Sequence, residues 1–254
     1  MAISMACGIY FLVRRGRAIR ADEDDVYNLA LLVILGGVIG ARLVYVLTNW
    51  HDFALAPGDI WRIDQGGLSI HGALFGGLCA GLWYAARRRL RFWALTDGFV
   101  PGACIGIFLV RIGNIFNGEI LGRTSILLGG ARHPAQVYEM VMALVLWFQY
   151  WRGLRRSPAD GVLFWNFVFW YSIMRFVSEM FRDNPLYIIQ AVSPLLGVGM
   201  VTLTQWFTPL ILGVAWSALR WRRAVDVHSA RLSAPAARTA AVAAAGAAGS
   251  GSDG

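Results

Sequence analysis

Seven apolar runs divide the chain, at about 2–13, 27–48, 67–86, 92–110, 135–151, 161–181 and 196–219. Apart from the short first one, they approach the ~20 residues that a helix needs to cross a bilayer. Arginines gather after every odd run. Arg14, Arg15, Arg17 and Arg20 follow the first, Arg87, Arg88, Arg89 and Arg91 the third, Arg152, Arg155 and Arg156 the fifth, and Arg220, Arg222 and Arg223 the seventh. Loops on the cytoplasmic side of a membrane protein carry the excess of basic residues. The alternation therefore predicts an all-α integral membrane protein with seven transmembrane helices, its N-terminus outside and its C-terminus cytoplasmic. The longer polar segments, 49–66, 111–134 and 182–195, then fall outside. A seven-helix transmembrane domain is expected over 1–222. The remainder, 223–254, is rich in Ala, Arg, Gly and Ser and has little to bury, which predicts a disordered cytoplasmic tail.

Composition agrees with a membrane chain and removes other classes. Hydrophobic residues make up 57% and charged residues 15%. The net charge of +8 comes entirely from arginine. These cations sit in short loops rather than on one face of a soluble fold, so no nucleic-acid partner is expected. Cys7, Cys79 and Cys104 lie in apolar runs without paired spacing and read as small buried hydrophobes, and with few histidines they form no metal-ligand set. No metal or cofactor is expected. The opening residues lack a basic region and a cleavage site, so no removable signal peptide is expected either.

Polar residues inside the apolar frame mark a site. Arg111 lies at or just inside the end of the fourth run, where a guanidinium at membrane depth needs an internal partner, water or a ligand. Asn114, Asn117, Glu119, Gly122 and Arg123 follow within the same short segment. A spacing of three puts Arg111 and Asn114 on one helix face, a pair suited to a phosphate oxygen. Arg175 and Glu179, four apart in the sixth run, also share a face and suit an ion pair. Gly66-Gly67-Leu68-Ser69-Ile70-His71-Gly72 opens the third helix, and His71 is the only histidine in a candidate membrane segment. It is read either as a packing residue or as a proton acceptor near neutral pH. Gly72/Gly76 and Gly77/Gly81 have the spacing of close helix packing. Arg42, after Gly40-Ala41 and near Tyr45, again calls for an internal partner. His133-Pro134-Ala135-Gln136-Val137-Tyr138-Glu139 starts the fifth helix with ordinary helix-start chemistry and enough polarity to line a site. Together these residues suggest a site for an anionic amphiphile, with a phospholipid headgroup among arginines.

The motifs at 66–72, 111–123, 133–139 and 175–179, with Gly40-Ala41-Arg42, resemble the prolipoprotein diacylglyceryl transferase family in order and spacing over about residues 5–220. The resemblance implies a seven-helix enzyme of the bacterial inner membrane. It would transfer diacylglyceryl from phosphatidylglycerol to the lipobox cysteine thiol of a preprolipoprotein, releasing glycerol phosphate. It implies functional positions at His71, Arg111, Asn114, Glu119, Gly122, Arg175 and Glu179. Arg111 would hold the headgroup, and His71, Glu119 or Glu179 would take the thiol proton. Gly67, Ser69, Asn117, His133, Tyr138 and Arg42 are further candidates for substrate contact. At the N-terminus the chain departs from the family pattern, since Met1-Ala-Ile-Ser-Met is shorter than usual and Tyr10 lies too far along the helix to match the family's tyrosine. An inactive member, or a phospholipid-binding or transport protein without chemistry, is the alternative reading.

Overall fold

A computed structural model describes residues 2–63, 66–156, 158–183, 187–193, 198–202 and 205–225. Of the tail predicted over 223–254, residues 223–225 instead continue the last helix, and those from 226 onward lie outside the described residues. Long helices occur at each of the seven apolar runs: α1 (Ala2–Ala18), α2 (Glu23–Thr48), α4 (Ile70–Arg87), α5 (Phe92–Phe116), α6 (Ala135–Leu154), α7 (Val162–Phe181) and α8 (205–225). A short helix, α3 (Trp50–Leu55), and a 3-10 turn (Pro57–Trp61) fill the polar segment after α2. Among the described residues, α2 and α5 combine the length and hydropathy of a membrane span.

The all-α expectation describes the class, with one local addition. Strands β1 (Tyr187–Ser193) and β2 (Val198–Thr202) form an antiparallel hairpin, with Ala191 opposite Met200. The run predicted as a helix over 196–219 therefore splits, its first residues entering β2 and its remainder α8. Continuous hydropathy hides this boundary, but local chemistry marks it. The Thr202 amide donates to Gln205 Oε1 at 3.1 Å and the Gln205 amide to Thr202 Oγ1 at 3.3 Å, the reciprocal pairing that starts a helix.

The contacts divide the chain into two compact units, 1–110 and 111–254. In the first, Asp22 caps α2 by accepting from the Asp24 amide, with Glu23, Asp24 and Asp25 in the first turn. α2 and α4 pack along a glycine seam. A Cβ on Gly40 or Gly72 would collide with the backbone of the other, and so would one on Gly36 or Gly76, so only glycine allows this approach. Asp25 joins the two helices further along, accepting from the Tyr84 hydroxyl at 3.0 Å and from Arg88 at 2.8 Å. The packing reading of Gly72/Gly76 is thus the right one. Val13, Val26, Leu29, Tyr84 and Leu95 form the core of this unit. Asp97, fully buried in α5, lies 3.8 Å from Arg15 of α1.

In the second unit α6 and α7 pack side by side, and α8 is tied to α7 at both ends. Gln205 Nε2 donates to the Phe176 carbonyl, and Arg222 Nε to the Asp160 carbonyl. α5 runs to Phe116, six residues past the predicted end, so Arg111 and Asn114 are helical residues rather than loop residues. It stops where Gly118 takes φ +66. The Glu119 amide donates to the Asn114 carbonyl at 2.9 Å and the Gly118 amide to the Ile115 carbonyl at 3.3 Å, the pattern of a Schellman end.

Candidate functional site

Three arginines and two carboxylates meet where the end of α5 and the facing sides of α6 and α7 come together. Glu139 of α6 stands at the centre and is 3% exposed. Its Oε2 is 2.6 Å from Arg111 Nη2, and its Oε1 is 3.7 Å from Arg175 Nη1 and accepts from the Ser178 hydroxyl at 3.3 Å. Glu179, with no exposed surface, pairs with Arg175 one turn back and with Arg182 at 3.2 Å. With its amide turned so that both atoms find partners, buried Asn114 accepts from Arg111 Nη1 at 2.6 Å and donates to Glu119 Oε2 at 3.3 Å. The chain from Arg111 through Glu139, Arg175 and Glu179 to Arg182 alternates in sign, as charges removed from water must.

The cations outnumber the buried carboxylates in this group by three to two. One donor is left over as well. Among the described residues Arg111 Nε is buried and has no hydrogen-bond partner. A buried guanidinium N–H without an acceptor is costly, and an incoming anionic oxygen would satisfy it.

The segment after α5 is fixed to this cluster by backbone pairing. Gly122 bridges Arg182 antiparallel, the Arg123 amide donates to the Phe181 carbonyl at 2.9 Å, and the Asp183 amide to the Leu121 carbonyl at 2.9 Å. Gly122 is obligatory here, since a Cβ would run into the His133 carbonyl. The Glu119 carbonyl accepts from Gln136 Nε2 at 2.7 Å, while its carboxylate remains exposed. Next to it Ile120 holds φ +57, a conformation a β-branched residue rarely adopts. His133 Nδ1 and the Tyr138 hydroxyl are 3.1 Å apart, and both rings lie against Phe181. Asn117 is exposed just past the helix end.

The first unit holds the other expected residues, in different roles. Arg42 is 9% exposed and directs all five of its N–H groups at backbone carbonyls: Nε to Ile60 (2.8 Å), Nη1 to Gly66 (2.9 Å) and Gly67 (3.0 Å), and Nη2 to Asp59 (2.5 Å) and Arg62 (3.1 Å). It has no donor left for a phosphate. Its partner is the loop itself, which it folds into the start of α4. Gly67, at φ +74, packs so tightly that a Cβ would meet Tyr45 and the Arg42 guanidinium. Ser69 serves as N-cap of α4, its hydroxyl accepting from the Gly72 amide at 3.4 Å. His71 follows in the first turn, exposed.

Arg42→Lys keeps the charge but replaces a planar fork of five donors with one ammonium. It is expected to loosen 59–67 specifically. Hydrogen exchange at the Arg62 and Gly66 amides, now bonded to Asp59 and Ile63, should lose protection by at least about tenfold, since each lost charged hydrogen bond is worth ~1.5 kcal/mol or more. Unchanged exchange there would show that the loop holds its shape without Arg42.

Glu139 is the functional candidate that the motif reading leaves out. It sits in the first turns of α6, where a carboxylate looks like routine helix-start chemistry. Its depth in an otherwise apolar helix was the available signal, because an ionisable residue there needs a named partner.

The chain thus combines long apolar helices, two of them with the length and hydropathy of a membrane span, with a buried guanidinium–carboxylate cluster in its second unit, the features of a membrane protein. The family model described as prolipoprotein diacylglyceryl transferase matches residues 1–220. Proteins named phosphatidylglycerol–prolipoprotein diacylglyceryl transferase are similar along most of their length. The one from Thermoanaerobacter sp. (strain X514) is 43% identical over 87% of this chain and 86% of its own. That from Caldanaerobacter subterraneus subsp. tengcongensis is 40% identical over 85% and 84%, and that from Thermus thermophilus is 34% identical over 84% and 88%. The chain belongs to the prolipoprotein diacylglyceryl transferase family, a family of membrane-bound transferases.

Proposed function

We propose that this protein transfers the diacylglyceryl group of phosphatidylglycerol to the lipobox cysteine thiol of preprolipoproteins, in the bacterial inner membrane. The observation that carries this reading is Arg111, held by Glu139 and Asn114 with its buried Nε–H lacking a hydrogen-bond partner. In the proposed reaction the cysteine thiolate attacks the glyceryl carbon that bears the phosphoester. A C–S bond forms, the C–O bond breaks, and glycerol phosphate leaves with the electron pair. Arg111 and Arg175 stabilise the charge growing on the phosphate, in a setting of low dielectric where fixed donors act most strongly. Glu139 and Glu179 anchor the arginines and set their direction. Glu179 is already engaged by two guanidinium groups, which leaves Glu119 within this unit as an acceptor for the thiol proton, with His71 an acceptor on the family resemblance alone.

The seven long helices are read as seven spans, with the N-terminus outside, on the alternation of arginines along the chain. Asn117, Gly122, His133 and Tyr138 shape the walls beside the arginines. Arg42, Gly67 and Ser69 act by holding the entry to α4. The test is direct. The purified protein in phosphatidylglycerol vesicles is incubated with a lipobox peptide, and mass spectrometry follows the peptide. A mass increase on cysteine equal to one diacylglyceryl group is expected. Its absence, with phospholipid still bound, would favour a lipid-binding protein without chemistry.

A further inference from the structure

The segment between α5 and α6 carries a small rigid hairpin whose tip is apolar and open. Thr124 bridges Arg132, the Ser125 amide donates to the Ala131 carbonyl at 3.1 Å, and the His133 amide to the Arg123 carbonyl at 2.9 Å. The turn is a 3-10 helix, Ile126–Leu128, closed by Gly129 and Gly130 at φ +65 and +86. The Gly129 and Gly130 amides return to Ile126 and Ser125. Backbone hydrogen bonds close the turn, yet its three consecutive large side chains are bare. Ile126 is 64% exposed, Leu127 65% and Leu128 45%. Lipid-facing helices explain exposed leucines elsewhere, but this element is not a spanning helix. A contiguous apolar tip on a fixed turn marks a binding surface.

Its surroundings indicate the partner. Arg123 and Arg132 stand at the base, beside a cavity of about 320 Å³. Arg132 pairs with Asp183 at 3.0 Å and donates to the Gly122 carbonyl at 3.1 Å, and Arg123 Nε donates to the Arg182 carbonyl at 3.1 Å, so this collar sets two cations against one carboxylate. The chain on the α5 side is apolar and exposed too, with Ile115 at 46%, Phe116 at 85% and Leu121 at 46%. An apolar tip above a basic collar, joined on one side to a helix of spanning length, matches a headgroup–acyl boundary with anionic phosphates. We propose that the hairpin 122–133 is a membrane-docking element: Ile126, Leu127 and Leu128 enter the interface, and Arg123 and Arg132 face lipid phosphates. The proposal rests on the membrane reading of the chain and is independent of the transfer chemistry.

The experiment uses the full chain with Cys7, Cys79 and Cys104 replaced by alanine and an environment-sensitive fluorophore placed by Leu127→Cys. Leu35→Cys in α2 and Asp24→Cys at its exposed start serve as references for bilayer and water. Where the alanine replacements unfold the chain, a fluorescent non-natural residue at 127 with the native cysteines kept gives the same reading. In phosphatidylglycerol vesicles the label at 127 is expected to shift to the blue relative to that at 24. Lipids with a quencher near the headgroup should dim it, and less so in phosphatidylcholine vesicles. A label at 127 that behaves like the one at 24, while that at 35 shifts to the blue, overturns the docking element and leaves the membrane reading intact. Absence of a blue shift at 35 relative to 24 overturns the membrane reading itself. A blue shift that appears only when lipobox peptide is added also overturns the proposal and assigns the tip to the peptide's apolar segment. Equal quenching in neutral and anionic vesicles removes the role of Arg123 and Arg132.

Discussion

Arg111→Ala is expected to reduce diacylglyceryl transfer by at least about 10²–10³-fold, the effect of losing one preorganised charge-stabilising donor in an active site. Three nitrogens account for the size of the effect. Nη2 is fixed by Glu139 at 2.6 Å and Nη1 by Asn114 at 2.6 Å, so the guanidinium plane is set before any ligand arrives. Nε is buried without a hydrogen-bond partner, so an arriving phosphate oxygen would give it an acceptor. Arg111→Lys separates charge from geometry. It retains a cation near Glu139 but cannot bond Glu139, Asn114 and a ligand in one plane. Its rate should fall between those of alanine and the parent, with most of the loss in kcat if the donor acts on the leaving phosphate. Initial rates by mass spectrometry, on variants whose melting matches the parent, decide the matter. Parental turnover by Arg111→Ala would take Arg111 out of the chemistry.

Much of this arrangement is legible in the residues. Two pairings follow from helical spacing alone: Arg111 with Asn114 at three residues, and Arg175 with Glu179 at four. Arg175 and Glu179 do pair, whereas Arg111 and Asn114, expected to share a phosphate oxygen, bond each other. The seven long helices also lie where the apolar runs place them, because a run of that hydropathy has few alternatives to helix. Other parts depend on contacts that only the folded chain supplies. Glu139 looks like a helix-start carboxylate until α7 brings Arg175 and Ser178 to one side and α5 brings Arg111 to the other. Arg42 needs an internal partner by its depth alone, but that the partner is the backbone at 59–62 and 66–67, which takes every donor and leaves none for the substrate contact the family resemblance implies, is visible only in the folded chain. The same residue type at the same apparent depth serves a loop in one case and in the other joins an ion-pair cluster with one N–H unpartnered. Spacing along one helix carries the first kind of information; partners distant in sequence carry the second. The boundary between β2 and α8 is hidden for a related reason, since hydropathy is continuous across it and only the Thr202–Gln205 pair marks the change.

Glu139→Gln is expected to be the most destabilising conservative change in the second unit. The substitution keeps shape and one acceptor but removes the charge that Arg111 and Arg175 share. Breaking a buried ion pair from one side typically costs ~3–5 kcal/mol, because the partner charge remains without compensation. Here two guanidinium groups are affected, and Glu179 cannot take over, being already engaged by Arg175 and Arg182. The melting temperature in detergent should therefore fall well below that of the parent, and transfer should fall with it as Arg111 loses its fixed direction. A second substitution tells a charge effect from a packing effect. If the cost arises from unbalanced positive charge, Arg175→Gln in the Glu139→Gln background should lose less than the two single changes added together, with a coupling of ~1–3 kcal/mol. If the cost arises from altered packing between α6 and α7, the losses should add. Additive losses would mean that the alternating charges are not what holds these helices together. Coupling of the expected sign would make Glu139 the residue that keeps both arginines ready for an anion.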